Sequence, residues 1–177
     1  NPTVGILAHP GQVDVRITAR AETIEDANTL INDVDFKVRK LLGDNVFAVD
    51  GQTIESTIGE LLIESESTVA TCEDLSGGSV AAAMQDAAGS ALLQSSTVNS
   101  NNSLEKIALA GGETPPFADG AQLTAALARA TRTTAGATYG IAVHGIEESG
   151  QRTENLGRGE TYIAISGPHG ERIRHVR

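Results

Sequence analysis

Along this chain the apolar residues switch repeatedly between a spacing of two and a helical spacing, and that switching restricts the architectures open to it. Val13, Val15 and Ile17 alternate with Asp14, Arg16 and Thr18, the pattern of a half-buried strand. Thr23 then precedes Asp26 in a pattern that resembles a capping box. Ala27, Leu30, Ile31, Val34, Val38, Leu41 and Leu42 follow at helical spacing, and Gly43 is placed to stop that helix. Asn45 to Val49 reads as a short strand, and Ile54, Ile58, Leu61 and Leu62 as a second helix. This order predicts a small α+β subdomain over residues 1–64, a sheet with helices on one face.

From residue 65 the alternation continues. Val69 to Cys72 predicts a short strand. Ser76-Gly77-Gly78-Ser79 opens an alanine-rich helix with Val80, Ala83, Met84 and Ala87 on one face. Ala91 to Val98 is a weaker strand, Asn99 to Ser103 a polar stretch, and Leu104 to Leu109 a short helix. Thr114-Pro115-Pro116 breaks the chain before a helix marked by Leu123, Ala126, Leu127 and Ala130. Tyr139 to Val143 and Thr161 to Ile165 are compact strands, Glu147 to Gly159 a charged loop, and Arg172 to Arg177 the end of an edge strand. The fold class is therefore α/β, and residues 65–177 form a sheet covered by helices.

Composition narrows the function classes. With 3 % aromatic residues and no Trp, the core must be built from Ala, Val, Ile and Leu. A formal charge of −10 disfavours nucleic acid and anionic membrane as main partners, because both need clustered Lys and Arg. No apolar run approaches the ~20 residues of a bilayer span, and nothing at the start reads as a signal peptide. Cys72 is the only cysteine, which suits a reducing cytoplasm and excludes a thiolate metal cluster. The four histidines (His9, His144, His169 and His175) are scattered without metal-ligand spacing, so no metal and no cofactor is expected. The chain opens on Asn-Pro-Thr without a Met and closes on Arg-His-Val-Arg, and both ends read as cuts inside a longer protein.

Several stretches carry a family likeness in consistent order. They are Asn1-Pro2-Thr3, Pro10-Gly11, Leu42-Gly43-Asp44, Ala70-Thr71-Cys72-Glu73-Asp74-Leu75-Ser76-Gly77-Gly78, Gly89-Ser90, Lys106, Val143-His144-Gly145-Ile146, and Gly159 to Ile165. Together they resemble the CinA (competence/damage-inducible) family. The resemblance implies a KH-like linker subdomain over residues 1–64. It implies most of a C-terminal amidohydrolase domain over residues 65–177, without the family's N-terminal domain and final helix. That domain is similar to an amidase that releases ammonia from nicotinamide mononucleotide with Ser, Tyr and Lys. A possible nicotinamide nucleotide ligand, a homo-oligomer and a cytoplasmic location follow as expectations. RNA binding does not follow, since residues 1–64 lack the Gly-x-x-Gly of RNA-gripping KH domains and carry five Lys/Arg against eleven Asp/Glu.

Carried over by position, the reactive side chains are largely changed. Asp74 stands where the family has its serine, Asn101 where it has tyrosine, and His144 where it has threonine, whereas Lys106 is kept. A carboxylate is a weak nucleophile toward an amide. Beside Lys106 it would also hold that lysine protonated and unfit as a base. The catalytic candidates are thus Asp74, Asn101 and Lys106, with Ser76 and Ser90 as substitute nucleophiles. The ligand-binding candidates are Gly77, Gly78, Gly89, His144 and Gly145. Free amides at the helix start after Gly78 would suit a phosphate; equally, Ser76 is simply a good cap and the glycines permit a tight turn. Two readings compete: a degenerate amidase serving as a nucleotide-binding, regulatory or assembly module, and an active amidohydrolase with altered catalytic residues. A third places all activity in the absent N-terminal domain.

Overall fold

The computed structural model describes residues 1–9, 11–98, 101–146 and 159–176, with Asn101, Asn102 and Ile146 described by their backbone alone. The described residues group into two units, Asn1–Gly51 and Gln52–Arg177.

In the first unit, β1 (Thr3–His9) and β2 (Gln12–Thr18) form an antiparallel hairpin in which Val4 faces Ile17 and Ile6 faces Val15. This register puts Val4, Ile6, Ala8, Val13, Val15 and Ile17 on one face of the ribbon. α1 (Ile24–Leu42) follows. Thr23 caps it by accepting from the Asp26 amide, and Gly43, at φ +54°, ends it. The strand expected over Asn45 to Val49 is not formed: Gly43–Asn45 is a 3-10 turn and the following residues are irregular. No strand of either sheet pairs with these five residues, and the Val46 amide donates instead to the Gly43 carbonyl, so the pattern alone does not make a strand. The unit therefore has a hairpin and one helix.

The second unit begins with α2 (Ile54–Glu64), closed at its start by a reciprocal capping box between Thr53 and Ser56. Its Gly59 lies so close to Ala87 that an added Cβ would sit 2.2 Å from the Ala87 carbonyl oxygen. The chain thus divides between Gly51 and Gln52, before α2, and not at residue 64 as the sequence pattern suggested. The physical reason is packing: α2 needs the α3 surface to bury Leu62.

Five strands make one sheet in the order β4-β3-β5-β6-β7. β3 (Val69–Glu73) is parallel to both β4 (Leu92–Thr97) and β5 (Tyr139–Ile146), while β6 (Glu160–Gly167) and β7 (Gly170–Val176) continue antiparallel beyond β5. Val69, with Leu62, Ala88 and Ala91, builds a core beneath α2 and α3 (Ser79–Ala88). Cys72, Ala142 and Ala164 face the other way, against α4 (Asn101–Ala110) and α5 (Gly120–Ala135), packing on Leu104, Ala108, Leu123 and Leu127. Small residues allow close layers: an added Cβ at Gly140 would sit 2.0 Å from the Ala128 carbonyl oxygen on α5. β7 is the expected edge strand. The expected loop over Glu147 to Gly159 lies outside the described residues except for Gly159. No helix among the described residues is long and apolar enough to cross a membrane.

Candidate functional site

β3 is central, paired on both sides, and every one of its residues is buried. Its alternation sends Val69, Thr71 and Glu73 to the face covered by α3, and Ala70 and Cys72 to the face covered by α5. The chain then leaves the sheet through Asp74 to Gly78 and enters α3. Gly77 (φ +64°) and Gly78 (φ +91°) both adopt the left-handed conformation that makes this turn possible. The turn sits at the carboxyl ends of the neighbouring parallel strands β3 and β5, on either side of which the chain connections diverge, the usual place for a ligand crevice in such sheets.

Glu73 is 1 % exposed, and its side chain accepts three hydrogen bonds. One carboxylate oxygen accepts from the Ala81 amide at 2.8 Å. The other accepts from the Val80 amide at 3.1 Å and from the Ser76 hydroxyl at 2.7 Å. The first amide of α3, Ser79, donates to the Ser76 carbonyl, and the Ala82 amide to that of Gly78. All four amides of the helix start are therefore taken, and a protein carboxylate occupies the place of an anion. This corrects the expectation of a phosphate cradle after Gly78: no free amide remains there, and the negative charge of Glu73 opposes a second anion.

Asp74 follows at the start of the turn, with its side chain about one-tenth exposed. Its Oδ1 accepts from the Leu75 amide and, at 2.9 Å, from the Gly145 amide. Its Oδ2 meets Nδ1 of His144 at 2.6 Å. An ionised carboxylate can only accept, so the contact places the imidazole proton on Nδ1. His144 is itself 3 % exposed and sits in β5 next to Gly145, where an added Cβ would lie 1.9 Å from Leu75 Cδ1. Asp74, Leu75, His144 and Gly145 thus form one packed, hydrogen-bonded cluster. Its pairing spans 70 residues of sequence.

The remaining candidates are dispersed. Lys106 lies on the exposed face of α4, because its neighbours two residues away on either side, Leu104 and Ala108, are the ones packed into the core. Among the described residues it makes no ion pair, so the expected Asp74–Lys106 pair is replaced by Asp74–His144. Asn101 opens α4, and its side chain lies outside the described residues. Gly89 caps the C-terminus of α3 through its amide to Gln85, and exposed Ser90 follows. Both stand at the opposite end of a helix about 15 Å long from Ser76, Gly77 and Gly78. No group of three or more His, Cys, Asp or Glu among the described residues could hold a metal ion. A cavity of about 390 Å³ lies elsewhere, lined by α5 and the β6–β7 turn, and does not include Asp74.

Sequence reasoning passed over Glu73. Its signal was present: an acidic residue two positions after Thr71 on an alternating strand shares Thr71's face, and it directly precedes a turn into a helix whose start attracts negative charge.

Comparison with known proteins agrees with this architecture. A family model described as the damage-inducible protein CinA KH domain matches residues 1–48, and one described as the CinA C-terminal domain matches residues 51–177. The chain belongs to the CinA family. Among curated relatives, a CinA-like protein of Frankia casuarinae is 34 % identical over 100 % of this chain and 42 % of its own length. A putative competence-damage inducible protein of Desulforamulus reducens is 32 % identical over 100 % of this chain and 44 % of its own. The chain thus spans less than half the length of these CinA relatives. Of solved structures, the CinA superfamily protein from Enterobacter cloacae matches with a TM-score of 0.57 at 18 % identity, over 73 % of this chain and 81 % of that one. The Escherichia coli superfamily protein matches with a TM-score of 0.56 at 18 % identity, over 76 % and 84 %. These two share the fold.

Proposed function

We propose that this CinA chain has lost the serine acylation chemistry implied by its family resemblance and serves as a regulatory, nucleotide-binding or assembly module of a longer protein. One observation carries the reading. The residue in the nucleophile's place, Asp74, spends its carboxylate on two backbone amides and His144, and no hydroxyl stands there. Lys106 is exposed and makes no ion pair with it among the described residues. Homo-oligomer formation belongs to the same proposal. It is supported by apolar side chains left exposed on α1, where Phe36 is 67 % and Leu41 85 % exposed.

The test is ammonia release from nicotinamide mononucleotide by this chain and by its Asp74→Ser variant, with calorimetric titration of the same nucleotide. No ammonia from the natural chain together with measurable nucleotide binding supports a binding module. Ammonia released by the natural chain overturns the proposal. Silence with no binding removes the nucleotide and leaves assembly as the role.

A second reading, an altered amidohydrolase, rests on the Ser76 hydroxyl held 2.7 Å from a buried carboxylate of Glu73, a nucleophile-and-base arrangement in outline. It predicts ammonia release that is abolished by Ser76→Ala and by Lys106→Ala.

A further inference from the structure

We draw no further inference here: the strongest candidate, the face of β6 and β7 turned away from α5, where Ile165 and Val176 stand exposed beside Arg172 and Arg174, carries nothing because nothing in the structure shows what covers it.

Discussion

Replacing Glu73 by Gln tests whether a buried carboxylate organises the turn into α3. The natural side chain accepts three hydrogen bonds, from the Ser76 hydroxyl and the Val80 and Ala81 amides. Gln is nearly the same size, so the cavity term is small, but one of its two terminal atoms becomes a donor. At least one bond is then lost, and an N–H is set against another N–H. Hydrogen bonds to a charged group each contribute about 1.5–3 kcal/mol, and a favourable charge at a helix start adds about 0.3–1 kcal/mol. Glu73→Gln should therefore destabilise the chain by about 2–4 kcal/mol. Urea unfolding monitored by far-ultraviolet circular dichroism reads this as a lower midpoint at unchanged slope. Amide exchange should quicken at Val80 or Ala81, whichever faces the new amide nitrogen. A loss below about 0.5 kcal/mol, the size of an ordinary surface change, with unchanged exchange at both amides, would refute the account of Glu73 as the internal anion of this helix.

Three further outcomes follow from the same structure. In a double-mutant cycle, Asp74→Asn and His144→Gln should couple by about 1–3 kcal/mol in urea unfolding, and additive losses would mean the 2.6 Å contact carries no stability of its own. Gly140→Ala should cost about 3 kcal/mol or more, because the new methyl would meet the Ala128 carbonyl oxygen at 2.0 Å and overpack the β5–α5 layer; a near-native melting temperature would contradict that layer spacing. Burial pushes the Cys72 thiol up to about 11, with Asp74 and Glu73 adding to the rise and Thr131 opposing it. The folded chain then holds this proton more tightly than the unfolded chain. The contribution, on the order of 3 kcal/mol, is present below pH ~8.5 and fades as pH rises towards 11. Disulfide-exchange labelling at pH 8 should be negligible until the chain is unfolded, and rapid labelling of the native chain would overturn the buried placement.

Much of the architecture was legible before any coordinates. Val13 to Thr18, Val69 to Cys72, Tyr139 to Val143 and Thr161 to Ile165 read as strands by alternation or compact apolarity, and they are strands. Thr23 and Gly43 bound α1 where a cap and a stop were expected, because capping is chemistry among neighbours in sequence. The sheet with its covering helices followed from the alternation of such elements. The strand at Asn45 to Val49 failed for the opposite reason: a strand exists only where a partner accepts its backbone bonds, and local composition does not name that partner.

By itself the sequence determined most of the element types and the CinA resemblance, which are properties of single residues or short neighbourhoods. Only the tertiary structure decided where those residues meet. It joined Asp74 to His144 across 70 residues, turned Lys106 outward, separated Ser90 from Ser76 by the length of α3, and filled the start of α3 with Glu73. The physical reason is that hydrogen bonding and charge act through space over a few ångströms, and distances along the chain carry that information only within a turn of helix or a step of strand.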